Sequence, residues 1–226
     1  MTALSYLDFF VDRVHDPDSS PRVVKINRHQ FPDLYQATDR GEIKTADGRP
    51  VKLGGDTLIT YRSAVKKIYG KYFSELDSPT QKDILSALET YSCTSHKQIL
   101  FSDEKGVINN HQIGNMMPFP SSIPSMNILR AGKFYDYFDR FLHEVKDYYG
   151  NPTGYIPSSK LQAAIYYQHG YFEFFKTYDQ YIEDNLLQDF VSKDLWAITD
   201  FREYVQVAND IIDSRGKRFT VSAEQY

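Results

Sequence analysis

Asp8, Asp12, His15, Asp16 and Asp18 form the densest acidic group in the chain. If residues 4–16 are helical, Asp8, Asp12 and Asp16 fall at i, i+4 and i+8 on one face, where each like-charge pair repels by roughly a few tenths of a kcal/mol. A divalent cation would relieve that repulsion, and carboxylate oxygens suit Mg²⁺, Mn²⁺ or Ca²⁺, so these three are the metal-ligand candidates. A solvated acidic edge running into a capped turn accounts for the same residues. The glycine and terminal glutamate of a calcium loop are missing. His29 and His111 are the candidate acid–base groups.

A second polar group lies between residues 109 and 130: Asn109, Asn110, His111, Asn115, Asn127 and Arg130. Ile113, Met116, Met117 and Phe119 can anchor that loop in a core, and an anchored loop holds its polar groups fixed, as a binding site requires. The loop is expected to pack on the N-terminal acidic segment and close a polar pocket, with Arg130 paired to Asp16 or Asp18. Asp12, Asp16, Asp18, Asn115, Asn127 and Arg130 are its ligand-binding candidates. The plainer account has Asn115 and Asn127 capping turns and Arg130 in solvent.

Other motifs say less. Cys93 and His96 are three apart, but a catalytic pair needs geometry from distant parts of a chain. Arg62, Lys66, Lys67 and Lys71 share a helical stretch and could touch phosphates, although a basic solvent face is commoner. Gly54-Gly55-Asp56-Thr57 is expected to precede a helix, yet it lacks the glycine spacing and the lysine of nucleotide loops. Neither G-x-S-x-G nor H-E-x-x-H occurs.

The elements that must position these groups emerge from composition and periodicity. The 226 residues carry a formal charge of −4, 41% hydrophobic and 25% charged residues, and one cysteine. Such a chain can bury a core, and it forms no internal disulfide. Its net field does not favour coating nucleic acid or an anionic membrane. Residues 1–14 lack a basic leader, and no run approaches ~18 apolar residues, so a cytoplasmic location and no membrane partner are expected. Rings are concentrated between residues 134 and 181, where a helical core with tyrosine-rich margins is expected, because a tyrosine hydroxyl needs a partner.

A single domain, 1–226, is expected. Residues 1–55 are mixed, with a hairpin over 42–53 turning at Asp47-Gly48. Two helices follow over 56–92, with Asp56 or Thr57 as a cap and Ser78-Pro79 starting the second. A long irregular loop covers 93–132, with short strands near 99–101 and 116–119. Helices fill 133–213, one of them opened by Ser158 or Ser159 and the last by Asp194, with fraying after Gly216.

The run His111-Gln112-Ile113-Gly114-Asn115 with Pro118 resembles that of an uncharacterised bacterial domain-of-unknown-function family, which carries His-Thr-Ile-Gly-Asn and then a proline. The resemblance extends to Asn127 and Arg130, to the aromatic stretch from Asp136 to Leu142, to Leu186-Leu187-Gln188-Asp189, and to Asp12, Asp16-Pro17-Asp18, Ser19 and His29. The family's Leu-Trp-Ser-Lys segment has no counterpart, and Gln112 replaces its threonine. The resemblance implies candidate positions and no reaction. A weaker similarity, to HNH endonucleases, lacks their Asp-His-x-x-Pro base histidine.

The fold class expected is α+β, mostly helical, with a small N-terminal hairpin or sheet packed on a helical C-terminal half. Two functions are consistent with it. One is a binding or interaction protein, for a small ligand or a protein partner, using the pocket between the 109–130 loop and the acidic segment. The other is a metal-dependent enzyme acting on a phosphate-containing substrate, a nucleotide or nucleic acid, with the Asp8–Asp18 carboxylates holding the cation and His29 or His111 as acid or base. Tight nucleic-acid binding is not expected at this charge.

Overall fold

The computed structural model describes residues 21–59, 113–120, 138–195 and 197–224. Two proline-led helices come first, α1 (Pro21–Gln30) and α2 (Pro32–Asp39). Proline suits a first helical turn because its missing N–H would have no partner there. Arg28 donates to both carboxylate oxygens of Asp39, at 2.6 and 3.1 Å, and so joins the two helices. Gly41, at φ +69°, ends α2: its N–H reaches the Thr38 carbonyl, and that of Glu42 reaches Ala37. This paired closure needs a left-handed residue, which glycine supplies without a Cβ clash.

The chain next forms the tight hairpin of residues 42–53. It closes on one bridge, Lys44 to Pro50, with Gly48 at φ +82° in the turn. Leu53 leaves it to begin β1 (Leu53–Thr57), which pairs antiparallel with β2 (Met116–Pro120), Leu53 facing Pro120 and Thr57 facing Met116. Gly54, Gly55, Asp56 and Thr57 are therefore strand residues, not the glycine turn and cap expected before a helix. The pairing partner that makes them a strand lies some sixty residues further along, where no local pattern reports it.

The C-terminal half is helical: α3 (Phe138–Gly150), α4 (Lys160–Tyr167), α5 (His169–Phe174), α6 (Tyr178–Asp184), α7 (Gln188–Ser192) and α8 (Phe201–Glu224). Ser159 caps α4 by accepting from Gln162 N–H, as its position suggested. From there to residue 184 the chain is broken into three short helices, α4, α5 and α6. Lys176, Leu186 and Asp194 adopt positive φ just beyond α5, α6 and α7. The last helix starts at Phe201, with Asp200 accepting from Glu203 N–H, and it continues through Gly216 to Glu224. Ile212, Arg215 and Phe219 are buried on it, so packing holds the stretch that composition suggested would fray.

The core is built around β2, all five of whose residues are buried. Phe119 contacts the rings of Phe138, Phe141 and Tyr171. Tyr148, Tyr171, Tyr181 and Tyr204 are fully buried rather than marginal. The hydroxyl of Tyr171 is accommodated because it donates to the Pro118 carbonyl at 2.9 Å. Tyr149 does likewise to Phe172, at 2.5 Å. No helix among the described residues is long and apolar enough to cross a membrane.

Candidate functional site

Two of the sequence-derived candidates fall within the described residues. His29 is exposed in the last turn of α1. Asn115 is fully buried: its Oδ1 accepts from Ile59 N–H at 3.0 Å, and its Nδ2 donates to the Ile59 carbonyl at 2.7 Å. With Leu58 N–H donating to the Asn115 carbonyl, the asparagine prolongs the β1–β2 ladder by one side-chain rung. Asp8, Asp12, Asp16, Asp18, His111, Asn127 and Arg130 lie outside the described residues, as do Cys93, His96 and the basic stretch 62–71. Among the described residues, no three His, Cys, Asp or Glu side chains gather as metal ligands.

Two arrangements were missed in the sequence. The first is centred on Arg215, fully buried on the inner face of α8. Its Nη1 donates to the carbonyls of Gly114 and Met116, both at 2.7 Å, and its Nε to that of Asn185 at 3.0 Å. Phe219 stacks on the guanidinium, its centroid 4.8 Å away. Burial pushes the pKa of Arg215 down to about 9, and neighbouring Arg218 adds to the effect, so the group stays charged at neutral pH. The guanidinium thus ties Gly114 and Met116, and Asn185 just ahead of the Leu186–Asp189 run, to one helix. Gly114 packs directly on that helix, where a Cβ would collide with the Ile212 carbonyl and come 2.6 Å from Gly216 N. Nη2 of Arg215 and Oδ1 of Asn185 are buried with no hydrogen-bond partner among the described residues. Each such group costs about 1–3 kcal/mol if left unserved, more for a charged one. The readable signal was an arginine on the apolar stripe Val205, Ala208, Ile212, Phe219.

The second is a groove of about 580 Å³ between α2, the segment leading into the hairpin, and α5. Asp33 and Gln36 line it from α2, Arg40, Glu42 and Lys44 from the link, and His169, Glu173 and Phe174 from α5. Its floor is fixed by backbone contact: a Cβ on Gly170 would strike the Lys44 carbonyl and lie 3.0 Å from Lys44 N. Ala46 N–H donates to the Tyr167 carbonyl at 2.8 Å, and the Tyr167 hydroxyl donates to Asp47 at 3.1 Å. Arg49 also donates to Asp47, at 2.8 Å. Hydrogen bonds from Arg49, Thr45 and Tyr167 hold the Asp47 carboxyl well below the usual carboxylate range. On the rim, Arg40 pairs with Glu42 at 2.6 Å, and His169 Nδ1 meets Glu173 at 3.1 Å. The groove therefore offers both signs of charge, and an imidazole beside a carboxylate, on a rigid base.

A family model described as a family of unknown function (DUF6994) matches residues 93–219. No curated protein and no solved structure matches the chain. The matched stretch holds every residue bonded to Arg215, together with the α5 wall of the groove, whereas α2 and the hairpin precede it.

Proposed function

We propose that the chain, which belongs to the DUF6994 family, a family of unknown function, is a binding or interaction protein whose ligand is a small, charged, polar molecule held in the groove between α2 and α5. The observation that carries this reading is the fixed floor beneath the charged rim. Gly170 lies against the Lys44 backbone, so the groups above it are held in register for a ligand. The volume falls within the range of small-molecule sites, roughly 300–1,000 Å³. Acidic and basic groups on facing walls favour a ligand bearing both charges. The single cysteine suits a reducing compartment, and the cytoplasm is the proposed location.

The test is a thermal-shift and calorimetric screen of zwitterionic and phosphorylated metabolites, repeated with Lys44→Ala and His169→Ala. Binding that either substitution weakens at least tenfold, with melting temperature unchanged, supports the groove. Binding that neither substitution weakens, or no binding across the screen, rejects it.

The exposure of His29 at the end of α1 favours a second reading, a metal-dependent enzyme acting on phosphate-containing substrates. In it the Asp8–Asp18 carboxylates, Asp8, Asp12 and Asp16 among them, hold Mg²⁺, Mn²⁺ or Ca²⁺, and His29 or His111 moves the proton. Titration calorimetry with each cation decides: an absence of heat and of any rise in melting temperature removes it.

A further inference from the structure

Asp47-Gly48 is the single Asp-Gly step in the chain, and no Asn-Gly occurs. The hairpin turn selects the pair, because Gly48 sits in a left-handed conformation at φ +82°. The same pair is open to a spontaneous rearrangement. Glycine places no side chain beside its nitrogen, so that nitrogen can attack the neighbouring carboxyl carbon, Cγ of Asp47. The attack needs a Gly48 N–H free to give up its proton and a carboxyl free to turn toward it. It also needs a protonated carboxyl oxygen that can leave as water. The folded chain withholds all three. Gly48 N–H donates to the Thr45 carbonyl at 2.9 Å. Oδ1 of Asp47 accepts from the Thr45 hydroxyl at 2.5 Å, and Oδ2 meets Nε and Nη2 of Arg49 at 2.8 and 2.7 Å. The Tyr167 hydroxyl lies 3.1 Å from both oxygens and itself accepts from Arg49. These bonds also keep the carboxyl ionised, and an ionised oxygen is a poor leaving group.

We propose that Asp47-Gly48 is a latent site of isoaspartate formation, and that Thr45, Arg49 and Tyr167 form the clamp that keeps it unreacted in the folded chain. In the reaction the Gly48 nitrogen bonds to Cγ of Asp47. The amide proton and the carboxyl hydroxyl leave together as water, and a five-membered succinimide closes. Water returns at one of the two ring carbonyls. Attack at Cγ breaks the new bond and restores aspartate. Attack at the main-chain carbonyl breaks the original peptide bond and leaves the chain running through Cγ. No electrons are gained or lost, and the mass is unchanged. The product carries one extra methylene in the main chain, beside two contacts that need its native length. Ala46 N–H donates to the Tyr167 carbonyl at 2.8 Å, and the Lys44 main chain lies against Gly170. Tyr167 stands 120 residues beyond Asp47, so the clamp is complete only once the hairpin has docked on α4. Isoaspartate at this turn therefore marks chains in which that docking has failed, whether or not the groove holds a ligand.

The test ages the full chain at physiological temperature and pH beside a synthetic peptide of residues 42–53. Peptide mapping with electron-transfer mass spectrometry reads the isoaspartate fraction at Asp47. The folded chain is expected to form it at least tenfold more slowly than the peptide. Tyr167→Phe keeps the ring and the backbone contact to Ala46 and removes only the hydroxyl. It is expected to raise the rate by about two- to tenfold, the effect of one hydrogen bond. Arg49→Gln should raise it at least as much. Hydrogen exchange at Gly48 N–H separates a lost clamp from a looser hairpin, and its protection should be unchanged in Tyr167→Phe. Equal rates in folded chain and peptide, no acceleration in either variant, or an acceleration matched by an equal loss of Gly48 protection would each overturn the clamp.

Discussion

Gly114 rests on the main chain of Ile212, with no room for a methyl group between the 3₁₀ turn (Ile113–Asn115) and α8. Both surfaces are backbone, so neither can rotate aside as a side chain would. Gly114→Ala is expected to destabilise the fold by about 3 kcal/mol or more. At this chain length that lowers the melting temperature by roughly 6–12 °C, readable by circular dichroism. An unchanged midpoint would mean that turn and helix are not in contact.

Asn115 gives a second, independent test of the same region. Replacing it with alanine orphans the buried N–H and carbonyl of Ile59, at about 1–3 kcal/mol each. Asn115→Asp keeps the acceptor and loses the donor. Its buried carboxyl should titrate above the unfolded value, so this variant is most stable in acid and weakens as pH rises through about 4. Urea unfolding at pH 4 and pH 7 checks both variants. An Asn115→Asp protein equally stable at the two values would place the side chain in solvent.

Lys176 is exposed at φ 61°, where a side chain crowds its own carbonyl. Lys176→Gly is expected to stabilise by about 0.5–1 kcal/mol, although glycine gains more freedom in the unfolded chain. Chemical denaturation should show a higher midpoint with the same slope, and a lower midpoint would contradict the positive φ.

Alkaline pH should unfold the protein cooperatively. Burial pushes Tyr35 and Tyr148 up to about 12, and it pushes Tyr171 and Tyr181 well above their ordinary value near 10. A group with a raised folded pKa contributes stability that is complete below the unfolded value and is lost as pH rises through the folded one. The loss therefore begins near pH 10, at roughly 1.4 kcal/mol per pH unit for each protected tyrosine. Tyrosinate absorbance should climb in one steep step coincident with loss of ellipticity. A gradual rise that precedes the loss would show these hydroxyls to be accessible.

Much of the C-terminal half was legible because its signals are local. Phe138, Phe141, Leu142 and Val145 repeat at helical spacing and are buried, and Ser159 announces its cap. The break at residues 175–177 was not legible. It rests on Lys176 in a conformation that glycine usually marks, so the sequence carries no punctuation there. The strand identity of Gly54 and Gly55 depends on partners Phe119 and Pro118, which no window around them contains. Asn115 was singled out as a ligand-binding residue of the 109–130 loop, whereas its side-chain amide bonds to the backbone of Ile59. The groove was hidden because its walls, α2 and α5, are over a hundred residues apart and become neighbours only through packing on Gly170.

The bonds from Arg215 to Gly114 and Met116 span about a hundred residues, which sets an order on biosynthesis. A ribosome delivers the carbonyls of Gly114 and Met116 about a hundred residues before the guanidinium that binds them. Until α8 emerges, the apolar strand β2 lacks the helix that binds its first carbonyl, and contacts of such sequence separation form slowly. Translation arrested a few codons before Arg215 would yield a nascent chain with most of its helices and an unclosed centre. Such a chain is the form most exposed to chaperones and proteases.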